Sequence, residues 1–290
     1  AIMPIEREEL PVDILFVGAG PACLTSALHL KKQLTAMGRE DVEIAVIEKA
    51  QTVGSHILSG AVVDPRPLVE LLGEDWRDSG LPVESWVAQE EVRHLSTTGA
   101  LRIPVPPMLK NHGFPVISLS EMVTWLKDRC EEAEVMVFEG FPGHQFLHDA
   151  KGHIAGVRTM DKGLDASGNP GPGFEPGADI SAKCTVLGEG VRGSLTRQLI
   201  DEQKLQGRNP QIYGTGGKEL WKLPEGRFPA GKVLHTSGWP LSSTQYGGSW
   251  IYGHSGDRVS IGFVSALDAQ QPWTDPWENF QRWKQHPFIA

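Results

Sequence analysis

The sequence predicts an α/β fold built around a dinucleotide-binding βαβ unit, and three stretches carry that expectation. The first is Asp13-Ile-Leu-Phe-Val-Gly18-Ala-Gly20-Pro-Ala-Cys23, an apolar strand running straight into a glycine turn and then a helix. The second is Glu43-Ile-Ala-Val-Ile-Glu48, a strand one crossover later that ends in an acid. The third is the apolar strand from Ile180 to Leu187, which runs into Gly188-Glu189-Gly190-Val-Arg192-Gly193-Ser194 and a helix from about Leu195. A glycine turn alone is a weak signal. Strand, turn, helix, strand and terminal acid in that order form a specific one.

Each residue of the first turn has a physical task. Gly18 permits the tight turn, and Gly20 lets the backbone approach a pyrophosphate. Pro21 and Ala22 open the helix, whose free N–H groups and positive dipole end favour an anion. Glu48 can accept hydrogen bonds from ribose hydroxyls; its structural alternative is a solvent-facing acid at a strand end. Cys23 stands where close helix–strand packing asks for Gly or Ala, so its thiol is expected to push the helix outward and weaken cofactor binding. A thiol at a helix N-terminus is either reactive, with a lowered pKa, or a small inert core residue. The Ala-Gly-Pro of the turn resembles the flavoprotein form of the motif and points to FAD rather than NAD.

Composition narrows the function classes. The 290 residues carry 27 basic and 36 acidic side chains, a net charge of −9 without long runs, so no nucleic-acid-binding surface is indicated. Three cysteines, Cys23, Cys130 and Cys184, show neither pairing nor ligand spacing, which suits a reducing compartment. They are too few for an iron–sulfur cluster, which takes four thiolates. The first ten residues are acidic and lack signal-peptide character. The window from Ile14 to Leu30 has no charge, but its glycines and proline argue for strand, turn and helix over a membrane span.

Further along, the Pro-rich stretch Ile103-Pro-Val-Pro-Pro-Met-Leu109 can be neither a helix nor a central strand, and with Phe114-Pro-Val-Ile117 it suggests an irregular apolar hairpin. Ser118 and Glu121 form a capping-box pattern, followed by Leu119, Met122, Val123, Leu126 and Cys130 on one helical face. A strand at 135–138, a hairpin around Asp149-Ala-Lys-Gly152 and a Gly/Pro-rich loop at 161–179, with room for an edge hairpin, follow. From Pro210 onward the chain is β-rich and aromatic. Its tryptophans at 221, 239, 250, 273, 277 and 283 are expected in cores or interfaces.

Later motifs are more specific than the glycine turn. They include Glu48-Lys49, Gly54-Ser-His-Ile-Leu-Ser59-Gly60-Ala61, Asp64-Pro65, Ile103-Pro-Val-Pro106, Asn111-His-Gly113 and Glu189-Gly190-x-Arg-Gly193. Lys218-Glu-Leu-Trp221, His235-Thr-x-Gly-Trp-Pro-Leu241, Tyr246-Gly247-Gly248-Ser249 and Phe280-Gln-Arg-Trp-Lys284 complete the set. With them the chain resembles the electron-transfer flavoprotein:ubiquinone oxidoreductases over nearly its whole length. Cys23, Gly217 in place of a bulkier residue, and a shorter stretch after Pro106 depart from that family's pattern.

The resemblance implies a Rossmann-like FAD/NAD(P)-binding domain of the glutathione-reductase/hydroxylase type with an interleaved β-rich quinone-binding domain, cut short at the C-terminus. The expected boundaries are 1–93 and 134–205 for the FAD-binding segments, 94–133 for a quinone and membrane region, and 206–290 for the quinone-binding domain. It implies FAD held by Gly18, Gly20, Pro21, Ala22, Glu48, Lys49, Ser59, Gly60, Ala61, Glu189 and Gly190. A 4Fe-4S cluster and a second FAD-binding segment would belong to a C-terminal part beyond Ala290; without that segment the 290 residues alone are expected to bind FAD weakly and turn over poorly. Electrons would come from electron-transfer flavoprotein and leave to ubiquinone at Tyr246, Gly247 and Gly248, glycines whose alternative is a strand bulge. The 103–117 stretch is then a monotopic membrane anchor or an apolar loop packed inside the protein. The place implied is the cytoplasmic face of a bacterial inner membrane or the matrix face of the mitochondrial one. The rival readings are another FAD-dependent reductase or hydroxylase of the same superfold, geranylgeranyl-reductase-like, and a degenerate fragment without redox activity.

Overall fold

The computed structural model describes residues 5–58, 60–270 and 273–290, and the chain divides into two compact units. One comprises Ala1–Ile57 with Leu119–Gln206, the other Leu58–Ser118 with Gly207–Ala290. These limits differ from the expected ones at 93 and 133. The strand Gln89–Leu95 pairs in parallel with Lys232–Gly238, and the helix Leu119–Glu132 packs on the helix Pro21–Ala36. Both are partnerships between distant parts of the chain.

The first unit holds a six-stranded sheet in the order Met136–Glu139, Ile44–Glu48, Glu9–Val17, Asp179–Leu187, Ile154–Thr159, Gly143–His148. The first four strands are parallel and the last two antiparallel. Every residue of Ile44–Ile47 is buried, as a strand covered on both faces requires. Helix Pro21–Ala36 makes the crossover and buries Leu24, Ala27 and Leu28. Helix Leu119–Glu132 buries Met122, Val123, Leu126 and Cys130, the face that its periodicity predicts. Leu15, Phe146, Val157, Ile180 and Leu195 meet in the core between strands and the helix Ser194–Gln203. Leu15 is fully buried, so Leu15→Ala would cost about 2–5 kcal/mol. Arg7 ties the first described residues to Asp161 and to the carbonyl of Gly177. The Gly/Pro-rich segment carries the edge hairpin Lys162–Leu164 with Pro170–Glu175.

The second unit is a six-stranded sheet in the order Gly214–Lys222, Arg258–Ala266, Gly247–Gly253, Lys232–Gly238, Gln89–Leu95, Ala100–Ile103. One face packs on the helix Pro276–Lys284, whose Asp275 cap accepts from the N–H groups of Trp277 and Glu278. Phe280 and Trp283 are fully buried there with Ile261 and Phe263, and the Trp283 indole donates to Thr236 Oγ1 at 3.0 Å.

One expectation about this unit needs correction. Residues 103–117 do not form a hairpin. Ile103 ends a strand paired with Gln89–Leu95, whereas Pro115–Ile117 pairs with Ala61–Val62 and Ser85–Trp86. Prolines 104, 106 and 107 have no N–H to donate, so the two arms find partners elsewhere. Val116 and Ile117 are fully buried, whereas Met108 is 77% exposed. The tryptophans also divide: Trp283 is core, but Trp221, Trp273 and Trp277 are exposed. Among the described residues, no helix is long and apolar enough to cross a membrane.

Candidate functional site

The glycine turn lies at the carboxyl ends of three parallel strands, where ligands of open α/β sheets bind. The Gly18 N–H donates to the Ile47 carbonyl at 2.8 Å, and the Gly188 N–H donates to the Val17 carbonyl at 2.9 Å. Gly18 has φ of +100°, and a Cβ on it would lie 2.6 Å from the Gly188 carbonyl oxygen, so only glycine fits. Gly20 is the N-cap of Pro21–Ala36 and no side chain caps it. A Cβ on Gly20 would meet nothing within 4 Å, which leaves open space over the positive end of the helix. Ala22 is exposed beside it.

Glu48 braces this turn. Its Oε2 accepts the Ala19 N–H and its Oε1 the Ala50 N–H, both at 2.8 Å. Each oxygen keeps a further lone pair, so the carboxylate can still accept from a ribose hydroxyl. Lys49 is exposed.

Cys23 packs at the crossing of helix and strand. Its sulfur fills space over Gly188, where a Cβ would approach it to 2.2 Å, and points at the Val17 carbonyl oxygen 3.7 Å away. Burial, and then the charges of Glu48 and Glu189, push the thiol up to about 11. Its burial suits a small core residue better than a reactive thiol.

The carboxylate of Glu189 has partners within the protein. Its Oε2 accepts from the Thr196 N–H at 2.7 Å and the Thr196 hydroxyl at 2.8 Å, and its Oε1 from the Leu195 N–H at 3.3 Å. The carboxylate thus caps the helix Ser194–Gln203, leaving a ligand the backbone there. Gly190 is exposed, with φ of +84° and no neighbour within 4 Å of a Cβ position. A shallow depression of about 640 Å³ in the same unit is lined by Thr52, Gly54, Ser55, Ser120, Glu121 and Asp128, and includes none of Gly18–Ala22.

In the second unit, Gly60 has φ of +90° and its Cβ position lies 2.7 Å from Lys218 Nζ and 3.1 Å from Ser260 Oγ. Ser59 lies outside the described residues, and Ala61 is half-buried in a short strand. Tyr246 is 81% exposed and its carbonyl accepts the Ala266 N–H. The next two glycines sit in a continuous ladder with Arg258–Ala266, not at a bulge. Their bareness serves close strand approach: a Cβ on Gly247 would lie 2.2 Å from the Val264 carbonyl oxygen, and one on Gly248 2.6 Å from that of Thr236.

Sequence reasoning missed a buried polar cluster near Gly60. His254 is 2% exposed, and its Nε2 lies 3.1 Å from the hydroxyl of fully buried Ser260. Its Nδ1 faces Glu84 Oε2 at 3.6 Å, and Arg258 donates to the same oxygen at 2.7 Å. Glu84 and Ser260 stand far apart in the chain in unremarkable contexts, so no spacing signals them.

The model of the ubiquinone-binding domain of these oxidoreductases (ETF-QO, ubiquinone-binding) matches residues 213–290. The probable electron transfer flavoprotein-ubiquinone oxidoreductase of Schizosaccharomyces pombe, named as mitochondrial, is 40% identical over 99% of this chain and 45% of its own length. That of Acinetobacter baylyi is 39% identical, over 99% of this chain and 51% of its own. Nearly all of the chain is thus similar to proteins named electron transfer flavoprotein-ubiquinone oxidoreductase, and residues 213–290 match the family's ubiquinone-binding domain. The chain spans about half the length of the curated relatives it matches. The fold is that of a geranylgeranyl bacteriochlorophyll reductase-like protein from Thermoplasma acidophilum, with TM-score 0.69 and 15% identity over 97% of this chain and 63% of the other.

Proposed function

We propose that this chain carries the FAD-binding turn and the quinone-binding sheet of an electron-transferring-flavoprotein dehydrogenase, which passes electrons from reduced electron-transfer flavoprotein to ubiquinone at a membrane surface. The observation that carries this reading is the 40% identity, along 99% of the chain, to a protein so named. The glycine turn fits the cofactor: Gly18 admits no side chain, and the uncapped helix start behind Gly20 faces open space. FAD supplies the redox chemistry when bound. The residues here hold it. The N–H groups at Ala22 and Cys23 receive the pyrophosphate, and Glu48 both fixes the turn through Ala19 and accepts from the ribose. Gly60, Ala61, Gly190 and Lys49 are assigned to further cofactor contacts, and Tyr246, Gly247 and Gly248 to the quinone. No iron–sulfur cluster is assigned to these residues, because three cysteines fall one short of four thiolate ligands. A mitochondrial or bacterial inner-membrane surface is the proposed place, in keeping with the mitochondrial name of the yeast relative.

Flavin titration tests the reading. Gly18→Ala and Glu48→Ala are expected to weaken FAD binding about tenfold or more, each by losing an interaction worth about 1.5–3 kcal/mol around the turn. Unchanged affinity in both variants would remove the turn from the site.

A further inference from the structure

The strand Gly214–Lys222 sends successive side chains to opposite faces of the second unit's sheet. Gly217 and Glu219 belong to the face packed by the helix Pro276–Lys284: a Cβ on Gly217 would meet Phe280 at 3.1 Å, and Glu219 is held by Lys284 Nζ at 2.8 Å. Lys218 therefore takes the other face, in a cross-strand row with Gly262, Trp250 and His235. Gly262 is bare, and the Trp250 ring covers it, 2.1 Å from its Cβ position. The end of the lysine lies against Gly60, whose Cβ position is 3.0 Å from Lys218 Cε and 2.7 Å from Nζ. We propose that Lys218 supplies the counter-charge to the reduced, anionic flavin at Gly60 and so raises the reduction potential of the bound cofactor, an inference that rests on the FAD reading above.

A lysine on a sheet surface ordinarily carries its ammonium out to water while its stem covers apolar surface. Lys218 is instead half-buried, with its ammonium against backbone. Burial holds its pKa below the ordinary lysine value. Among the described residues no carboxylate pairs with it. Glu219 serves Lys284 on the helix side, and Glu84 accepts from Arg258. A cation kept partly out of water without a partner is costly, and a negative ligand relieves that cost. The surroundings suit such a ligand. Gly60, with φ of +90°, leaves its side-chain volume empty, and the Ser260 hydroxyl lies 3.1 Å from the same Cβ position. An ammonium and a hydroxyl beside bare backbone can both donate to an electron-rich edge.

Two electrons and one proton turn the neutral isoalloxazine ring into one with a single negative charge. A fixed ammonium beside the ring binds that form more tightly than the oxidised one, and the difference in affinity is a rise in potential. The pyrophosphate carries the same charge in both redox states. A lysine placed on it would strengthen both forms equally and leave the potential unchanged.

That distinction sets the test. Dissociation constants of oxidised FAD, of FAD reduced with dithionite under nitrogen, and of ADP are measured for the 290-residue chain by equilibrium dialysis. Lys218→Gln and Lys218→Met remove the charge and keep a stem of similar length. The ratio of oxidised to reduced FAD dissociation constants is expected to fall about tenfold in both variants, equivalent to about 30 mV for a two-electron couple. Oxidised FAD and ADP should bind the variants as they bind the parent. An unchanged ratio in both would overturn the proposal. Equal weakening of ADP and both forms of FAD would also overturn it, by making Lys218 a phosphate contact. NMR of labelled lysine in the parent reads the same pairing without a substitution: Lys218 should keep its proton to higher pH with reduced FAD than with ADP, and equal titrations would count against the pairing. A parent that binds no FAD in either form would overturn the FAD reading itself, and this inference with it.

Discussion

The contact between Cys23 and Gly188 makes a sharp prediction about packing at the cofactor turn. In Gly188→Ala, the new methyl carbon would sit 2.2 Å from the Cys23 sulfur, whereas the next atoms, Cys23 Cβ and the Val17 oxygen, are 3.6 and 3.8 Å away. A carbon and a sulfur need well over 3 Å, so the Cys23 sulfur must turn out of its place against the Val17 carbonyl or the helix start must shift. Overpacking of that size costs about 1–3 kcal/mol. Because only the sulfur conflicts, Cys23→Ala should remove the clash. The double variant is expected to recover most of the loss, with a coupling energy of about 1–3 kcal/mol. The assay is a double-mutant cycle in which hydrogen exchange of the Glu9–Val17 amides is followed across urea concentrations, so that the first unit is read by itself. The same geometry reverses an expectation drawn from the sequence: Cys23→Gly leaves a hole over Gly188 and a glycine in the first helical turn, so it should weaken the FAD site. Additivity of the two substitutions to within about 0.5 kcal/mol would refute the argument.

Acid should loosen the first unit through Asp161. The Arg7 guanidinium, and then the Gly177 N–H, hold its carboxyl down at about 2, below its usual value, so its stabilisation is complete above about 4 and is lost as pH falls toward 2. Asp161→Asn should flatten unfolding midpoints over that window, measured by circular dichroism; an unchanged slope would exclude the pair as the cause. On the second unit, Met108→Glu should reduce pelleting with anionic liposomes if the exposed end of the proline stretch touches lipid, while the fold stays intact. Val116→Asp should instead unfold the unit, because it places a carboxylate in a fully buried position, and a folded, soluble Val116→Asp protein would contradict the packing.

The elements legible in the sequence are those whose causes lie close together in the chain. Gly18, Gly20 and Glu48 sit within one βαβ unit, and the periodicity of Met122, Val123, Leu126 and Cys130 marks one helix face without outside help. What failed depended on distant partners. Nothing near Gln89–Leu95 says that it pairs with Lys232–Gly238, and nothing near Cys23 says that a bare Gly188 will lie beneath it. Glu189 is a different case: its cap partners, Leu195 and Thr196, lie within seven residues, so that this contact is local.

The pairing of Glu9–Val17 with Asp179–Leu187 has a consequence for biosynthesis. Partners roughly 170 residues apart cannot meet until the later strand has left the ribosome. At about 5–20 residues per second, the nascent first strand waits on the order of ten seconds or more with one edge unpaired. Its apolar Ile-Leu-Phe-Val run is then a natural target for holdase chaperones. Expression yield of this protein should therefore respond to translation speed and chaperone supply more than to the stability of the finished fold.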